Sequence, residues 1–122
     1  MSLALILRMA AGWMALWAIM MFFAPEMALA SSGWEITDEI RTLMQGMGMA
    51  FVGLIVMHLV TATLADEAMQ KIAFWMAIMW VANSLQQGYF MANGIFAVDA
   101  QGVFGLVVGF GIAGLLYTKS RA

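Results

Sequence analysis

Residues 3–24, LALILRMAAGWMALWAIMMFFA, decide the class of fold. The stretch carries a single charge, Arg8, and ends against Pro25, the only proline in the chain. A bilayer hydrocarbon core of about 30 Å needs about 20 apolar residues in helix, so the stretch predicts a membrane-spanning helix. Pro25, with Ser31, Ser32 and Gly33 behind it, marks a loop. The same ruler predicts a second span over about 40–65 and a third over about 72–92. A fourth runs from about Gly102 to Tyr117, and beginning it behind Asp99, at about 100–117, gives it sufficient length. The expected fold is an all-α membrane protein, a single integral domain over residues 1–122. Its four transmembrane helices form an up-down bundle with short connections.

Composition agrees with that reading. Of 122 residues, 65% are hydrophobic and 10% charged, with a mean hydropathy of +0.93. A small soluble body has too much surface for so few polar residues, whereas lipid is a solvent that accepts them. A net charge of −2 without a basic run offers nothing to nucleic acid. The absence of cysteine excludes a disulfide scaffold, thiol chemistry and cysteine metal sites. Fourteen methionines suggest either copper handling or the filling of irregular gaps between helices. They lie inside apolar spans and not in exposed clusters, which favours gap-filling.

A secretory signal competes for the first span, since Ala28-Leu29-Ala30 before Ser31 has the form of a cleavage site. The apolar stretch is longer than a usual signal core and heavy in Trp13, Trp17, Phe22 and Phe23, so an uncleaved helix is expected. Thr37, followed by Asp38 and Glu39, suits the start of the second helix, and Asp66 and Asp99 suit the starts of the third and fourth. Glu67 and Lys71 are spaced to pair on one turn. Four spans place Arg8, Lys71, Lys119 and Arg121 on one side and only Arg41 on the other. The bias predicts cytoplasmic termini, in a bacterial inner membrane. Arg8 can snorkel to the headgroups, and Trp34 and Tyr117 fall near the interfaces.

Gly102, Gly105, Gly109 and Ala113 form a stripe of small residues on the fourth helix. Such stripes let a second backbone approach closely in lipid. Gly46 and Gly53 share a face of the second helix, and Ala11 and Ala15 a face of the first. Packing of the fourth-helix stripe inside the bundle is expected, although the same stripe can serve between subunits.

Polar residues at membrane depth are the first candidates for function. Asn83, Gln86 and Gln87 follow i, i+3, i+4 spacing on the third helix, with Tyr89 close by. Gln45, on an antiparallel neighbour, is expected at the depth of Gln86 or Gln87. Together they can form a polar pocket opening outward, for a ligand or quinone headgroup, or simply hydrogen-bond between helices. His58, the only histidine, is placed one turn from Thr61. It can be a satisfied structural imidazole, a proton carrier, or a ligand to haem or chlorin.

No hydrolase, metalloprotease or phosphate-loop motif occurs. No Asp or Glu lies at membrane depth, which argues against a proton-coupled pump and separates the chain from small multidrug transporters. Arg8 followed by Gly12, a first span closed by Pro25, and Arg41 leading a span with Gly46, Gly48 and Gly53 form a pattern. In topology more than in sequence, it resembles small four-helix bacterial membrane proteins of the DoxX-like kind and a related family of unknown function. The outer loop after the third span lacks the basic residue such a resemblance leads one to expect. The resemblance implies the architecture and no functional residue. The expected role is an accessory or ligand-binding component of a homo-oligomeric or larger membrane assembly, without enzymatic activity of its own. The alternatives are a small homo-oligomeric transporter or channel with an amide-lined path, and a haem, pigment or quinone subunit using His58.

Overall fold

A computed structural model describes residues 1–122. Helix α1 spans Leu3–Phe23, the single-turn α2 Pro25–Ala28, α3 Asp38–Thr61, α4 Asp66–Ala92 and α5 Ala100–Ser120, and no strand occurs. Pro25 stops α1 as expected and, having no N–H to leave unpaired, opens α2 at its first position. Gly33 and Gly94 adopt left-handed backbone conformations at φ 67° and 70°, which only glycine takes without strain, and each lies in an end loop.

Three helices, α1, α3 and α5, are long and apolar enough to cross a membrane. The expected third span, α4, is the longest at 27 residues, but Gln70, Lys71, Asn83, Gln86 and Gln87 dilute its apolar character. The second span also ends earlier than expected. α3 stops at Thr61, where the Thr61 and Thr63 hydroxyls donate to the carbonyls of Met57 and Val60, and a short turn leads into α4. Thr37 and Asp99 cap α3 and α5 by accepting from the backbone N–H groups of Ile40 and Gly102. Asp66 does not cap α4. It sits inside the first turn, behind Ala65, so its charge meets the helix dipole without bonding a free N–H. Glu67 and Lys71 do not pair either, since the one ion pair in the chain joins Arg41 to Glu26.

The long helices pack as two intimate pairs, α1 with α3 and α4 with α5. All four contribute to one end of the bundle, where Ile6, Leu7, Ala10 and Met14 of α1 meet Ala62, Ala73, Ala77, Trp80, Ile112, Ala113 and Leu116. Towards the other end Gly48 of α3 lies under the Phe22 ring, Gly105 and Gly109 of α5 lie under Gln87 and Ser84, and Trp13 of α1 meets Phe104 of α5 edge to face. Met14, Met21, Met44, Met69 and Met76 are buried and fill gaps, and the other methionines are exposed or half-buried.

Candidate functional site

His58 is completely buried, near the C-terminal end of α3. A helical side chain leans back over the preceding turn, and the imidazole uses this to donate from Nδ1 to the Leu54 carbonyl at 2.8 Å. That bond fixes the tautomer, leaving Nε2 as an acceptor. The indole N–H of Trp80, on α4, donates to Nε2 at 3.1 Å. The rings meet edge to face. Both nitrogens of the imidazole are thus engaged within the chain, and a haem iron or chlorin magnesium would have to displace Trp80 to reach Nε2. Thr61, one turn on, is buried and bonds its own helix. No group of three or more His, Cys, Asp or Glu side chains is placed to hold a metal.

The amides behave differently from one another. Gln87 is half-buried and donates to the Gly102 carbonyl of α5 at 2.9 Å. Asn83, Gln86, Tyr89 and Gln45 are exposed on the outside of the chain, so the expected pocket is not assembled within it. Two physical reasons account for this. The inward face of α4 is set by Met69, Ala73, Met76, Ala77, Trp80 and Ser84. On a helix of 3.6 residues per turn, Gln87 continues that face while Gln86 points well away from it. The register is also displaced. Because His58 meets Trp80, an antiparallel α3 sets Gln45 about 10 Å further towards the loop end than Gln86.

The fourth-helix stripe packs within the chain. Gly102, Gly105, Gly109 and Ala113 are all buried. A methyl group at Gly105 would come to 3.0 Å from the Gln87 amide, and one at Gly109 would overlap the Ser84 hydroxyl. Ser84 Oγ has no hydrogen-bond partner. By contrast, added carbon at Gly46 or Gly53 of α3 meets nothing within 4 Å, so that small-residue face is open.

The loop end is held by side chains that sequence reasoning passed over. The Ser31 hydroxyl donates to the Asp99 carboxylate at 2.8 Å, and Ala97 N–H donates to the Ser31 carbonyl at 2.6 Å. Gln101 donates to the Met27 carbonyl at 3.0 Å. The Gly102 N–H and the Ser31 hydroxyl hold the Asp99 carboxyl below its ordinary range. Asp99 was legible as a cap, but Ser31 lies 68 residues away in sequence and nothing in the pattern linked them. Trp80 was likewise invisible as the partner of His58, because its identity depends on the register between α3 and α4.

Compared with family models, curated proteins and solved structures, the chain matches none.

Proposed function

We propose that this chain is an accessory subunit of a membrane assembly, with α1, α3, α4 and α5 all crossing the bilayer. Connectivity supports the crossing of α4. Gln70, in the second turn of α4, bonds Ala122 beyond the end of α5, whereas Ala97 and Asp99, before α5, bond Ser31 behind α1. If α5 traverses the bilayer, α4 returns across it. The Lys/Arg bias supports the termini and the α3–α4 turn lying on the cytoplasmic side of a bacterial inner membrane.

One observation carries the assembly. Asn83 and Gln86 lie in the C-terminal half of α5's partner helix, nine and six residues before its end, exposed on its outer face. An amide left unpaired in hydrocarbon costs roughly 2–7 kcal/mol, so a protein surface that bonds these groups is favoured over lipid. The open Gly46–Gly53 face of α3 supports the same reading, since small residues allow a second backbone to come close.

A photo-crosslinking residue in place of Gln86 tests the reading in native membranes. It should trap a protein partner, or a second copy, far more efficiently than the same residue at Val107 on the exposed side of α5. Equal trapping at both positions, or none, counts against an interface on α4.

A further inference from the structure

The end of the bundle that carries the α3–α4 turn has a groove of about 290 Å³ between the first turns of α4 and the last turn of α5, lined by Glu67, Gln70, Lys71, Phe74, Trp75 and Ser120. Its composition is layered. Phe74 and Trp75 stand edge to face on the membrane side, and Tyr117 leans on Phe74 with the Arg121 guanidinium 5.5 Å above its ring. In the two helical turns before this aromatic floor the lining carries one carboxylate and one ammonium, Glu67 and Lys71. Glu67 and Lys71 are one turn apart and both exposed, yet neither is ion-paired, because the single ion pair of the chain lies at the opposite end. A groove with an apolar floor and two unpaired charges of opposite sign is complementary to a molecule with those three parts.

We infer that this groove binds a phospholipid whose headgroup carries both a phosphate and a primary ammonium, of the phosphoethanolamine class. The phosphate sits on Lys71 and the ammonium on Glu67, while the Gln70 amide and the Ser120 hydroxyl of the lining are held by the Ala122 and Tyr117 carbonyls. An acyl chain lies on Phe74 and Trp75. The phosphate of a purely anionic lipid gains Lys71 but meets Glu67 without compensation. A phosphocholine lipid offers Glu67 a methylated ammonium with no N–H to donate. The groove therefore discriminates by the pair of charges and not by net charge. The inference rests on the reading that the chain spans the bilayer.

Native mass spectrometry of the full chain, released from nanodiscs of phosphatidylethanolamine, phosphatidylglycerol and phosphatidylcholine with identical acyl chains, tests it. Phosphatidylethanolamine should be retained about five-fold more than either of the others, the scale of an exposed ion pair. Glu67→Gln should reduce its retention to the phosphatidylglycerol level, and Lys71→Gln should lower retention of all three. Equal retention of the three lipids, or a preference that survives Glu67→Gln, would overturn the inference. So would competition by glycerophosphoethanolamine as strong as that by the whole lipid, since the aromatic floor would then contribute nothing. Alkaline carbonate extraction separates the two levels of failure. A chain released by carbonate refutes the membrane reading itself, whereas a chain that stays in the membrane and retains lipids indiscriminately refutes only the groove.

Discussion

Trp80 and His58 illustrate how a residue that looks functional in a sequence can be consumed by structure. A lone histidine in an apolar helix has two nitrogens to satisfy in a medium without water, and the chain answers with one carbonyl and one indole. Trp80→Phe keeps most of the ring volume and removes the donor, leaving Nε2 buried and unpaired. The expected cost is about 1–3 kcal/mol of stability, read from denaturant unfolding of the purified chain in detergent. A Trp80→Phe variant as stable as the parent would mean that the indole bond does not hold α3 to α4. The sequence made His58 conspicuous and left several roles open. It could not choose among them, because the choice lies in a contact 22 residues away. Gln45, Asn83, Gln86 and Gln87 show the same limit from the other side. All four were visible as polar groups in apolar spans, yet only Gln87 bonds across to another helix, since one step along a helix turns a side chain by about 100°.

At the scale of elements, α4 and α5 are joined by a small-residue interface in which glycines of one helix accept polar side chains of the other. The stripe was legible because its spacing needs no tertiary knowledge, and Ser84 was not, because its importance comes only from facing Gly109. This pairing makes a specific energetic prediction. Gly109→Ala forces the Ser84 hydroxyl to move and should destabilise the chain by about 1–3 kcal/mol, the usual cost of overfilling a packed contact. In a Ser84→Ala background the same change should cost markedly less, because the obstructing oxygen has gone. A double-mutant cycle by thermal unfolding in detergent measures the coupling, and simple additivity of the two changes would contradict the packing described. Helix ends followed the same division. Thr37, Asp99 and Pro25 announced their boundaries through local chemistry. The α3 terminus at Thr61 was overshot because an apolar run continues through Leu64 and Ala65 after the helix has stopped. The pairing expected between Glu67 and Lys71 fails although the spacing permits it. An exposed pair at this spacing contributes only a few tenths of a kcal/mol, too little to dictate geometry.

At the scale of the whole molecule, the chain is an incomplete solution to its own polar groups. The shared core occupies one end of the bundle, and towards the other end the two helix pairs are joined by the Trp13–Phe104 contact and the Ser31–Asp99 and Gln101–Met27 bonds. Asn83 and Gln86 face outward in the C-terminal half of α4, and an open glycine face runs along α3. The two amides are costly against lipid and the glycine face lets a second backbone come close, and both support the proposed role of a subunit that finishes its packing on another protein. The most direct test is the mass of the particle extracted from native membranes in a mild detergent, with its subunit composition determined on the same sample. The account predicts a particle containing further copies or other polypeptides, heavier than the 13.3 kDa of one chain, which Asn83→Leu with Gln86→Leu converts to the single chain. A homogeneous particle containing one unaltered chain alone would contradict it.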